Sequence, residues 1–243
     1  MWPTAILIVV LGMTHAWGGI PFGGDDRGFV PPDRNTLGCE FGIATNVGRL
    51  IRAVTRCHVR SANAGLKGNV FDEEACESAG RARYDRANST LTGCPPCLDT
   101  GAVADAEVGR LDGLAAPLVY CDAASGRPLA DGDDGGFVPP SRAAAKCQNL
   151  VTRQIALLAE RLVGCHKKLA AAALESGVPD QAAEDACEAA ALAKYTGVVG
   201  RPSHCPTCLI PVLGALGAGI VGSVNVNGGD VYCASPGGAF LAP

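Results

Sequence analysis

The residues able to do chemistry in this chain are few in kind, and most occur twice. Cys94-Pro95-Pro96-Cys97 and Cys205-Pro206-Thr207-Cys208 are CxxC pairs. A thiol at a helix N-terminus loses its proton readily, and thiol–disulfide enzymes use CxxC there. Cys57-His58 and Cys165-His166 repeat one dipeptide of zinc-ligand types. Acids cluster at Asp72-Glu73-Glu74 and at Asp180 with Glu184-Asp185. Asp131-Gly132-Asp133-Asp134-Gly135-Gly136 has the look of a calcium loop, but the twelfth position is Arg142, where a bidentate Glu is needed. Arg49, Arg52, Arg56 and Arg60 share one helix face and could meet an anion.

Each of these has a plainer reading. The CxxC pairs follow a long helix rather than a strand, and each cysteine has a structural partner available. Structural zinc draws on closely spaced ligand pairs, whereas one histidine per unit recurs, so His58 and His166 read as surface or capping residues. Covalent haem would need a histidine where Leu98 and Leu209 stand. The acids suit the positive ends of helices. The four arginines align with Leu157, Glu160, Gly164 and Lys168, which suggests a solvated face of one unit. No catalytic, cofactor-binding or metal-ligating set is therefore expected, and no cofactor.

The elements that position these residues follow from the cysteines. They stand at 39, 57, 76, 94, 97 and 121, then at 147, 165, 187, 205, 208 and 233. A gap of 18 residues is five helical turns, so both ends lie on one face. The stripe Cys39, Ile43, Val47, Leu50, Val54, Cys57 steps as Cys147, Val151, Ile155, Leu158, Leu162, Cys165 does, the seam of two long helices side by side. A second helix offers Cys76, Gly80, Tyr84, Ala87, Leu91 and Cys94, matched by Cys187, Ala191, Tyr195, Val198, Pro202 and Cys205. Set antiparallel, the helices bring Cys57 level with Cys76 and Cys39 level with Cys94. Cys97–Cys121 then remains to tie down a third, shorter helix before Pro117. The rival is Cys39–Cys97 with Cys94–Cys121. The second unit gives Cys165–Cys187, Cys147–Cys205 and Cys208–Cys233.

Asp33 and Ser141 stand where helix N-caps belong, each after a repeated phrase: Gly24-Asp25-Asp26-Arg27-Gly28-Phe29-Val30-Pro31-Pro32 and Gly132-Asp133-Asp134-Gly135-Gly136-Phe137-Val138-Pro139-Pro140. Residues 1–16 read as an export signal, with an apolar run too short to span a bilayer. Residues 17–130 and 131–243 are then two homologous units. Leu209 to Val226 carries no charge, but its counterpart holds four acids, so a buried or partner-facing helix is expected in place of a membrane span. A net charge of −4 and 5% aromatics argue against nucleic acid.

The cysteine pattern from Cys39 to Cys94 and from Cys147 to Cys205 resembles the twin-CxnC helical hairpins, with a 17-residue interior. That resemblance implies a fold and no activity. The whole unit is similar to Cys-rich repeats of secreted bacterial proteins. The expectation is an all-α, exported, non-enzymatic binding or scaffold protein, periplasmic or extracellular, with an undefined protein or surface partner. A redox protein using the two CxxC pairs is the alternative, and metal binding through Cys-His and CxxC a weaker one.

Overall fold

The structure, a computed structural model, describes residues 19–129, 134–201 and 204–234. The export segment, Pro202 and residues 131–133 lie outside them. A short antiparallel hairpin, β1 (Pro21–Gly23) and β2 (Asp26–Phe29), precedes helix α1 (Arg34–Leu66) and helix α2 (Glu73–Asn88). Helix α3 (Thr100–Arg110) runs through a π-turn (Leu111–Ala115) into α4 (Ala116–Val119). The second half repeats the plan as α5 (Arg142–Ser176), α6 (Gln181–Val199) and α7 (Leu213–Val231). The fold is all-α, with almost no strand.

Local chemistry sets the helix ends. The Asp33 carboxylate accepts from the Asn35 and Thr36 amides, and the Ser141 hydroxyl from Ala144. Asp72 and Asp180 cap α2 and α6 through Ala75 and Ala183. Helix α5 stops at Gly177, whose left-handed φ of 74° a side chain would resist. Helix α2 ends at Asn88, short of its expected seam, and Gly93 at φ 74° and then Pro95-Pro96 turn the chain on either side of Cys94.

Both long seams are buried, and one apolar core runs through both halves. Ile43, Leu50 and Val54 of α1 meet the same cluster as Val151, Ile155, Leu158 and Leu162 of α5. Burial of each such side chain stabilises by about 1.5–3 kcal/mol. Helices α1 and α5 lie antiparallel: Lys167 donates to Thr45 and Asn149 to Asn63, while Arg52 grips Glu160. Arg52 and Glu160 thus stand at the middle of the antiparallel α1–α5 contact.

Four disulfides stay within one copy: Cys39–Cys94, Cys57–Cys76, Cys147–Cys205 and Cys165–Cys187. The remaining two correct the sequence expectation. Cys97 bonds Cys233 and Cys121 bonds Cys208, in place of Cys97–Cys121 and Cys208–Cys233. Cys97 and Cys208, and Cys121 and Cys233, hold matching places in the two cysteine sets, and spacing along the chain does not distinguish them. The lead-in phrases are exchanged in the same sense. The Phe29 amide donates to the Tyr232 carbonyl at 2.8 Å, and the Phe137 amide to the Tyr120 carbonyl at 2.7 Å. Gly28 (φ 125°) and Gly136 (φ 101°) permit that approach, since a Cβ there would stand 3.0 and 2.9 Å from the same carbonyls.

Helix α7 is apolar and long enough to cross a membrane by composition alone. Its Leu216, Ile220 and Val224 pack into the common core.

Candidate metal centres

The Cys57–Cys76 staple fixes what stands beside it. His58 follows Cys57 on α1, while Glu73 and Glu77 flank Cys76 on α2, three residues before it and one after. The staple therefore holds the imidazole against two carboxylates one turn apart on the facing helix. Cys165–Cys187 does the same for His166, Glu184 and Glu188. The third segment of each copy adds one more group, Asp112 or Asn225, and the exchanged lead-in adds an aspartate. Asp134 of the second phrase reaches His58, and Asp26 of the first reaches His166. Gly228 and Gly229 let β2 lie close enough for this, since a Cβ on Gly229 would meet the Arg27 Cβ at 3.0 Å.

Around His58 Nε2 stand Asp134 Oδ1 at 3.0 Å, Asp112 Oδ1 at 3.1 Å, Glu77 Oε1 at 3.3 Å and Glu73 Oε1 at 3.9 Å. Around His166 Nε2 stand Asp26 Oδ1 at 3.1 Å, Glu188 Oε1 and Asn225 Oδ1 at 3.2 Å, and Glu184 Oε1 at 3.7 Å. All nine ionisable residues and Asn225 are buried. His58 is 1% exposed and His166 4%, so neither is the surface or capping histidine expected from the sequence. Glu73 and Glu184 likewise do more than favour a helix start, a task that falls to Asp72 and Asp180.

One Nε2 carries a single hydrogen or a single lone pair and serves at most one of these oxygens. Among the described residues, six carboxylate oxygens at the first centre and three at the second have no hydrogen-bond partner. Burying such groups uncompensated costs several kcal/mol each, whereas coordination to a cation satisfies them. The spacing fits that purpose. Donors about 2.1 Å from one ion stand about 3.0 Å apart along octahedral edges and about 3.4 Å apart along tetrahedral ones.

The protein atoms alone crowd charge here, and proton affinities respond. Burial, then Asp134 and Glu77, push Glu73 up to about 11. Burial raises Asp112 to about 6 against the pull of His58. Burial also raises Glu184 to about 8, with Asp26 and Glu188 adding to it. Burial opposes charge on His166, but Asp26 and Glu188 overcome it and carry the imidazole to about 10. His58 moves the same way under Asp112, Asp134 and Glu77. A multivalent cation would replace these retained protons.

The centres differ at one position. Asp112 is eight residues before Tyr120, whereas Asn225 is seven before Tyr232. The π-turn at Leu111–Ala115, closed by the Ala116 amide on the Leu111 carbonyl, absorbs the extra residue and aims Asp112 at His58. It also carries the helix through Pro117, past its expected end. The first centre thus offers four carboxylates, the second three and an amide. By the antiparallel register, His58 and His166 lie roughly 18 Å apart along the helix axes, so these are two separate centres.

The cysteines take no part. Cys94 is bonded to Cys39 and Cys97 to Cys233, so neither half of this CxxC offers a thiol or a local disulfide, and Cys205 and Cys208 are likewise divided. The class defined so far is a disulfide-rich helical protein with two buried His–carboxylate centres. Comparison with protein-family models, curated proteins and solved structures finds no match.

Proposed function

We propose that this is an exported, non-enzymatic protein that holds two divalent metal ions, one in each centre. Six disulfides point to an oxidising compartment. The observation that carries the metal reading is the convergence, at both repeat-related places, of buried carboxylates on one imidazole, with oxygens that no donor satisfies. One imidazole among hard oxygens suits a first-row ion, manganese(II) first, better than calcium, which takes oxygen alone, or copper(I), which favours sulfur. Burial of the ligands suits a closed site that holds its ion, not one that opens a position to substrate.

The test is metal content and titration of the full chain, refolded oxidatively with manganese(II) and then freed of excess. Two ions per chain are expected, with the six-line paramagnetic signal of free manganese disappearing until both sites fill. His58→Ala should bind one. A correctly folded wild type that takes up no manganese, zinc or iron would overturn the reading.

A further inference from the structure

Away from both centres, a cleft of about 820 Å³ opens among α1, α2 and α5. Into it project Arg49, Arg52, Arg56 and Arg60 from α1, Arg83 from α2 and Lys167 from α5. Glu160 is the single acid in its lining, and Arg52 engages it with both guanidinium arms. Arg49 turns to the Asn46 side chain and Lys167 to Thr45. Arg56, Arg60 and Arg83 are exposed and have no hydrogen bond or ion pair among the described residues.

The fold does not require this charge. The repeat supplies an internal comparison, because the positions matching Arg49 and Arg56 are Leu157 and Gly164 on a helix of similar length, while Lys168 keeps a cation at the place of Arg60. Of six cations facing one cleft, on a chain of net charge −4, only Arg52 has an acid in the lining to offset it, and the other five repel one another. In its lining Gly80 lies close over Ala53, where even one Cβ would come to 3.1 Å.

We infer that the cleft formed by Arg49, Arg56, Arg60, Arg83 and Lys167 binds a compact polyanion carrying several phosphate or sulfate groups. Guanidinium forks match the tetrahedral oxygens of such groups two at a time. The volume is that of a small-molecule site. Arg49 to Arg60 spans roughly 16 Å of helix, enough for a row of charged groups rather than one. Nucleic acid fits poorly, because the cleft presents no stacking surface. Its one aromatic residue, Tyr84, is 3% exposed, with its hydroxyl donated to the Thr100 carbonyl.

The test is calorimetric titration of the full chain at 0.15 M salt with tripolyphosphate, orthophosphate, sucrose octasulfate and an oligothymidylate. Tripolyphosphate or sucrose octasulfate should bind saturably and at least 10-fold tighter than orthophosphate, and the tighter of the two identifies the source chemistry. The triple variant Arg56→Ala, Arg60→Ala, Arg83→Ala changes only exposed side chains and should keep the wild-type circular dichroism while losing at least 100-fold in affinity. The corresponding triple Lys variant should recover part of it. Subtracting the triple Ala variant also removes any heat from metal taken up by phosphate. Absence of saturable binding, equal binding by the triple Ala variant, or tighter binding of the oligothymidylate would each overturn the inference. None of these outcomes bears on whether the two buried centres hold metal.

Discussion

Arg52 and Glu160, 108 residues apart in the chain, grip each other at the middle of the antiparallel α1–α5 contact. Had both copies kept the same residue, like charges would face each other at the centre of the α1–α5 contact. The pair is part exposed, with side chains 44% and 23% accessible, so its energetic value is modest. The single variant Glu160→Arg should lower stability by about 1 kcal/mol, and the charge swap Arg52→Glu with Glu160→Arg should recover most of it. Urea denaturation of the wild type, the single variant and the swap measures this directly. A swap as unstable as the single variant would mean that the contact depends on more than charge.

The two centres should fill in order. Asp112 gives the first centre a fourth carboxylate where the second has Asn225. Asp112→Asn should weaken manganese binding at the first centre about 10-fold, near 1.4 kcal/mol. Asn225→Asp should strengthen the second by a similar factor. Competition titrations that find both variants unchanged would remove these side chains from the coordination sphere.

Glu40 lends itself to a prediction about pH. Its carboxyl is fully buried, and burial raises it from 4.5 to about 8, against the opposing pull of the Ala234 amide. Its counterpart in the second copy is Gln148, whose amide donates to the Val119 carbonyl. A protonated Glu40 is the nearest imitation of that glutamine. The folded protein keeps this proton between pH 4.5 and about 8, where the unfolded chain gives it up. The contribution is therefore whole below pH 4.5, shrinks through that window and is gone above about 8. Glu40→Gln should flatten this decline and stabilise the protein at pH 8 by on the order of 3 kcal/mol. Parallel pH–stability curves for the two proteins would refute it.

Residues 17–130 and 131–243, each expressed alone, should fail to reach a cooperative native state. Each half lacks the partners of two of its cysteines and the aspartate that completes its own centre. Refolding them together under oxidation should yield a covalent heterodimer linked through Cys97–Cys233 and Cys121–Cys208, recoverable by peptide mapping. Two separate, sharply melting halves would show instead that each copy is self-sufficient.

Much of the hairpin could be read along the chain. Apolar steps of three and four place Ile43 and Ile155 in the core, and Asp33 and Ser141 show themselves as caps by type and position. The staples Cys57–Cys76 and Cys165–Cys187 follow from level placement of antiparallel helices. The centres could not be read so directly, because each draws on four segments, one of them from the opposite copy. Their signals were nevertheless present. Glu73 and Glu77 bracket Cys76 just as Glu184 and Glu188 bracket Cys187, and a histidine follows the partner cysteine both times. A staple that aligns two cysteines also aligns the residues beside them, and this turns those neighbours into candidate ligands. The π-turn under Asp112 had no such signal, since one inserted residue is visible only against the equivalent helix in space.

The crossed disulfides give the chain an unusual tolerance of proteolysis. A cut anywhere in the connector between Cys121 and Cys147 would leave every helix attached, because Cys97–Cys233 and Cys121–Cys208 tie the two pieces together. No fragment could diffuse away, and the lost peptide bond would scarcely enlarge the freedom of an already cross-linked unfolded chain. Had Cys97 bonded Cys121 and Cys208 bonded Cys233, the same cut would have released two separate molecules.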